Sequence, residues 1–152
     1  MPFYTCNVPA DSLTDDQKED LARAITRIHA EVTGASPALV HVLYNEAASA
    51  DLYVGGEASS DVVISGHIRA GRSDADKQRL LRKLAEAGAT VTGRPPETFA
   101  VIVRDVPAKF IFDRGDIAPE LGEDEAWLAN RPAGSEQSPG LTACWFPSDD
   151  RR

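Results

Sequence analysis

Cysteine is nearly absent from this chain. Only Cys6 and Cys144 occur in 152 residues, at opposite ends and with no metal-ligand spacing around either. Neither a disulfide framework nor a zinc site is expected. Long apolar runs are missing too: no stretch approaches 18 apolar residues, so no membrane span or membrane partner is expected. The N-terminus lacks the basic flank and apolar core of a secretory signal, which makes the cytoplasm the expected location. Positive charge is in short supply. Sixteen Lys and Arg face 24 Asp and Glu, a net charge of −8, which argues against a nucleic-acid partner. No Gly-rich phosphate loop and no Ser or Cys nucleophile motif is found. What remains, 42% apolar and 26% charged residues, is the composition of a single globular domain large enough to bury a core.

The chain repeats itself. "TDDQKEDLARAITRIHAEVTGASPALVHV" from Thr14 aligns without a gap to "SDADKQRLLRKLAEAGATVTGRPPETFAV" from Ser73, an offset of 59. Ten of the 29 positions are identical, among them Leu21/Leu80, Gly34/Gly93 and Pro37/Pro96. Chance would give about two at ordinary residue frequencies. Each half predicts β-α-β. The strands are Phe3 to Val8 and Leu39 to Asn45, then Val62 to Ile68 and Thr98 to Arg104. The first helix is capped by Ser12 or Thr14 and carries the stripe Leu21, Ala24, Ile25, Ile28, Val32. The second is capped by Ser73, with Asp74 and Asp76 in its first turn and Leu80, Leu81, Leu84 and Val91 as its stripe. Gly34 and Gly93 stop the two helices. Two such units build an α+β domain: one four-stranded sheet with both helices on one face. The other face is expected to be apolar and to be covered by self-association. The domain is placed at residues 1–128, with pseudo-repeats at 2–46 and 61–105. Beyond Pro107, "AKFIFDRGDIAPELGE" reads as a hairpin or extended arm and "EDEAWLAN" as a short helix. Residues 129–152 form a Pro-, Gly- and Ser-rich tail, in which "LTACWF" is apolar enough to dock, a neighbouring subunit being one place for it.

Two places carry candidate chemistry. Pro2 precedes the first strand, and the first residue of a strand tolerates proline. Removal of Met1, usual before a small residue, would instead expose Pro2 as a secondary amine. An α-amino group titrates near ~8, and desolvation or neighbouring positive charge would bring it into the range of a general base. The second place is the loop "RAGRSDADK". Arg69 and Arg72, three apart before a helix N-terminus, suit a carboxylate. The bland reading is a solvated pair neutralised by nearby Asp residues. If the loop faces Pro2, one constellation binds an anion and lowers the amine's pKa. His29 lies beside the apolar stripe of the first helix, where a lone histidine is more often a packing residue than a catalytic one. His41 and His67 alternate within strands with no convergent partner in view.

Together these pieces resemble the tautomerase superfamily, and within it the cis-3-chloroacrylic acid dehalogenase group. "AITRIHAEVTG" is similar to that group's first helix and "GHIRAGRSDADKQ" to its arginine loop; the likeness spans roughly residues 1–128. The resemblance implies a cofactor-free enzyme, a homotrimer, and a small carboxylate as substrate. It implies Pro2 as the central catalytic group, Arg69 and Arg72 as the carboxylate clamp, and His29 as an aid to substrate or water binding. Two positions depart from the pattern. Ile102 stands where the group has a tyrosine, and Asp113, one methylene shorter, where it has a water-activating glutamate. Both departures argue against efficient hydrolytic dehalogenation and do not impair a simple proton shuttle, so the primary reading is a tautomerase of 2-oxo or 2-hydroxyenoic acids. The alternatives are a hydratase or weak hydrolytic dehalogenase of cis-3-haloacrylates, and a non-catalytic trimeric binding module that keeps Met1.

Overall fold

The computed structural model describes residues 1–48 and 51–130; the expected tail from Arg131 onward, with its "LTACWF" segment, lies outside the described residues. In chain order the elements are β1 (Phe3–Pro9), α1 (Asp15–Thr33), β2 (His41–Ala47), β3 (Tyr53–Val54), β4 (Glu57–Ala58), β5 (Val62–Arg69), α2 (Asp74–Thr92), β6 (Phe99–Val106), β7 (Phe112–Asp113), β8 (Asp116–Ile117) and α3 (Asp124–Ala129). Short 3-10 turns at Pro37–Leu39, Pro96–Thr98 and Ala108–Phe110 join them. Two of these turns begin at the prolines of the repeat, so β2 and β6 start one or two residues later than expected. Proline at the first turn of a helix loses no bond it would otherwise make.

Thr14 caps α1 by accepting from Gln17 N, and Gln17 reaches back to Thr14 N. Ser73 caps α2 by accepting from Asp76 N. Gly34 and Gly93 end the helices at φ 69° and 70°, where a side chain would be strained. The four-stranded sheet runs β2-β1-β5-β6. Pairing is parallel within each half and antiparallel between β1 and β5. Tyr4, Cys6 and Val8 of β1 and Val62, Ile64 and Ile68 of β5 point toward the helices. They meet Leu21, Ile25, Ile28 and Val32 of α1 and Leu80 and Leu84 of α2. Leu81 and Val91, expected in the stripe, are only partly buried.

The opposite sheet face is not the apolar surface expected. Phe3, Leu43 and Ile102 are exposed on it, but Asn7, Asn45, Ser65, His67 and Arg104 share it. Beyond β6, the β7-β8 hairpin and α3 form the arm. None of the described helices is long and apolar enough to cross a membrane.

Gly66 of β5 pairs with Tyr4 of β1, and the tyrosine ring takes up the room that a side chain would need. A Cβ built on Gly66 would stand 2.6 Å from Cε1 of that buried ring. Gly66→Ala therefore displaces Tyr4 and is expected to destabilise the protein by about 1–3 kcal/mol, the usual range for overpacking. A urea melt reads this as a lower midpoint at unchanged slope.

Candidate active site

The antiparallel register decides which loop meets the N-terminus. Phe3 pairs with His67. Continued outward, the same register sets Pro2 against Ile68 and Met1 against Arg69. The loop from β5 into α2, with Arg72, therefore lies at the amino end of β1. Met1 is fully buried, packed with Leu39, Ile111 and Ala118 and flanked by Val106, Trp127 and Leu128. Pro2 is fully buried as well, and its carbonyl accepts from His41 N at 2.9 Å. In the chain that carries Met1, the amino group is lowered from 8.0 to about 6. Burial is the largest cause and Arg69 the next; Asp124 and Asp113 oppose the shift, and Arg72 adds to it.

Arg69 is buried at the end of β5. Its Nη1 donates to the carbonyls of Pro119 (2.7 Å) and Glu120 (3.1 Å). Its Nη2 lies 2.6 Å from Oδ1 of Asp124 at the start of α3. Oδ2 of the same carboxylate accepts from Ser36 N at 3.0 Å. Arg69 thus anchors the arm, its Nη1 by hydrogen bonds to two carbonyls and its Nη2 by charge proximity to Asp124 without a hydrogen bond between them. Arg72 is only partly buried, and its Nη1 donates to Thr33 O. Among the described residues it has no ion-pair partner.

His29 projects from α1 into the same region. Its Nδ1 lies 2.8 Å from Tyr4 Oη, and the rings meet edge to face at 5.7 Å. Its pKa is lowered to about 3, first by burial and then by Arg72, the amino terminus and Arg69. The imidazole is neutral at physiological pH, a hydrogen-bonding group rather than a cation. The unfolded chain binds a proton near pH 6.5 that the folded chain refuses until about pH 3. Stability consequently falls as pH drops below 6.5, by up to about 1.4 kcal/mol per unit. Denaturant melts between pH 7 and 5 on wild type and His29→Gln check this: the wild-type decline is expected to shrink in the variant.

Asp113 sits on the β7-β8 hairpin. Its Oδ2 is 3.4 Å from His41 Nε2 and 3.9 Å from Arg114 Nε. The His41 ring also stacks on Phe3 at 4.5 Å. The sequence alone offers no partner for His41, and the structure supplies two. Both arise from pairings distant in sequence. Ile102 stands apart on the outer sheet face, paired with Ser65. Tyr4 and Asp124 do not stand out in the sequence. Tyr4 reads as an ordinary core residue of a strand, and Asp124 is one acid among several in "GEDEAW". Among the described residues no group of three or more His, Cys, Asp or Glu side chains is gathered closely enough to ligate a metal ion.

This arrangement can do limited and definite chemistry. A buried amino terminus beside two guanidinium groups can exchange a proton and attract an anion. A neutral histidine and an aspartate supply hydrogen bonds at its edges.

No curated protein matches the chain. Among solved structures, N1, a member of the cis-3-chloroacrylic acid dehalogenase family, is 28% identical with a TM-score of 0.81 over 86% of this chain and 92% of its own. The native protein Ps01740 is 33% identical, with a TM-score of 0.70 over 73% of this chain and 99% of its own. The Q0 fused 4-OT, a symmetric trimer, shares the fold at 23% identity, with a TM-score of 0.71 over 85% of this chain and 99% of its own. The model of a family described as putative oxalocrotonate tautomerase enzymes matches residues 1–131, and the chain belongs to that family, within the tautomerase superfamily and similar to its cis-3-chloroacrylic acid dehalogenase group.

Proposed function

We propose that this protein is a cofactor-independent tautomerase that moves a proton between carbon and oxygen of a small 2-oxo or 2-hydroxyenoic acid. The observation that carries this reading is the burial of the amino terminus beside Arg69 and Arg72, which favours the neutral amine. With Met1 removed, Pro2 presents its nitrogen one residue further along β1, beside the same guanidinium groups. As a secondary amine it takes the proton from the enol oxygen and returns it to carbon, so no net charge is left on the protein. Arg72 holds the substrate carboxylate, and Arg69 contributes positive potential that stabilises developing enolate charge. His29, neutral and held by Tyr4, orients the substrate, and Asp113 is a further polar group at the rim.

One observation favours a second reading. Asp113 is held by His41 and is close enough to raise the pKa of the amino group. A carboxylate so placed could activate water for hydration or hydrolysis of a 3-haloacrylate. NMR titration of the Pro2 nitrogen separates the two. An amine mostly neutral at pH 7 supports the proton shuttle, and one still protonated supports hydration. Steady-state assays with an enol pyruvate and with cis-3-chloroacrylate complete the test. Turnover of neither substrate leaves the non-catalytic binding module.

The same proposal includes a homotrimer. Phe3, Leu43 and Ile102 are 40, 59 and 46% exposed on the outer sheet face, and apolar side chains of this size there suit a subunit contact. Assembly as a trimer is known for the Q0 fused 4-OT. Sedimentation equilibrium is expected to give three times the 16.4 kDa chain mass. A single-chain mass at micromolar concentration would refute the assembly.

A further inference from the structure

The shape of the ligand can be read from what already occupies its place. Met1 buries an unbranched thioether side chain among Leu39, Ile111 and Ala118. If Met1 is removed, as the proposed function requires, that chain leaves a slot next to the Pro2 nitrogen. The slot's walls are mostly apolar, with His67 lining the same cavity as Met1; Trp127, at its flank, has its indole N–H committed to Ile117 O at 3.0 Å. Of the two arginines, Arg69 is taken up by Asp124 and by two backbone carbonyls. Arg72 is left as the guanidinium with no ion pair among the described residues, influenced by Asp124 and Asp76 only at longer range.

The geometry points to a monocarboxylate ligand with an unbranched apolar tail of about four to five heavy atoms, close to the length of a methionine side chain, seated in the slot of Met1 with its carboxylate on Arg72. A dicarboxylate of the same length would carry its second charge into Leu39, Ile111 and Ala118. A charge buried among those apolar side chains loses its hydration, and Asp124 keeps Arg69 from pairing with it. Asp124 is thus a specificity-determining residue that acts through Arg69, without touching the ligand. This inference deepens the tautomerase reading and rests on it for the removal of Met1, but the site it describes does not depend on turnover.

The test uses two unreactive acids of equal length, hexanoate and adipate. Each is titrated by isothermal calorimetry at pH 7.5 into full-length protein whose intact mass shows Met1 removed. Hexanoate is expected to bind in the millimolar range or tighter, at least 100-fold ahead of adipate. Asp124→Asn frees Arg69 to meet a second carboxylate, and is expected to narrow that ratio at least tenfold, a change that a purely structural role would not produce. The wild-type ratio decides the matter even where the variant does not fold. Adipate binding as well as hexanoate, or neither binding, overturns the inference whatever the enzyme turns over. A clear hexanoate preference with no turnover of any enol acid upholds the site and removes only the tautomerase reading. A protein that retains Met1 overturns both.

Discussion

Pro2→Ala is expected to lower kcat/KM for an enol pyruvate by at least ~100-fold, the lower end of what a positioned acid–base group contributes. The variant still ends in an amine, since alanine also permits removal of Met1, so charge alone is nearly conserved. What is lost is the ring. Proline fixes its own φ and so fixes where the nitrogen points. A primary amine on alanine rotates, and its proton transfer is no longer aimed. A variant with a bulky residue at position 2, which keeps Met1, turns the nitrogen at that position into an amide and is expected to lose the chemistry altogether. Steady-state kinetics with mass-verified protein checks both. Wild-type rates in Pro2→Ala would end the proposed mechanism.

The second large effect lies in the arm. Asp124→Ala strands Arg69 in a buried site after its ion pair is gone. Breaking a buried pair from one side typically costs about 3–5 kcal/mol, because the remaining charge has no counterpart. For a domain of this size that corresponds to roughly 6–20 °C in Tm. The carbonyls of Pro119 and Glu120 still accept from Arg69, which moves the expectation toward the lower end. Ser36 N also loses its acceptor, which moves it back. A double-mutant cycle with Arg69→Met gives the sharper number: the double variant is expected to be more stable than the sum of the singles implies. Thermal melts that show less than about 1 kcal/mol lost in Asp124→Ala would mean that the pair does not hold the arm.

These two residues mark what the sequence could and could not disclose. Helix positions were legible because a 3.6-residue stripe, a hydroxyl cap and a left-handed glycine agree at each end of α1 and α2. The repeat doubled that signal. Strand starts were less legible, because Pro37 and Pro96 open short 3-10 turns whose apolar residues, such as Leu39, read equally well as strand. The site was partly legible. Pro2, His29, Arg69 and Arg72 stood out by residue type, but only the antiparallel pairing of β1 with β5 brings the arginine loop to the amino end of β1. Neither half-repeat contains that pairing. Asp124 was not legible at all. Its partner lies in another element, and nothing local separates it from its acidic neighbours. The apolar outer sheet face was a wrong expectation for a related reason. Alternation identifies which side chains share a face, not how many polar ones a subunit contact tolerates.

The near-symmetry of the two halves has one more consequence. Both long helices run 19 residues and superpose at the same offset from cap to terminal glycine. On that scale the counterpart of His29 is Gly88, where the Phe99 ring lies so close that an added Cβ would meet Cε1 at 2.5 Å. The counterparts of Arg69 and Arg72 are Ala10 and Leu13, neither able to attract an anion. On the proposed function, the duplication therefore leaves one pole with candidate chemistry and one without it. A reagent that alkylates the terminal amine should saturate at a single equivalent per polypeptide, leaving the far pole free to vary without loss of turnover.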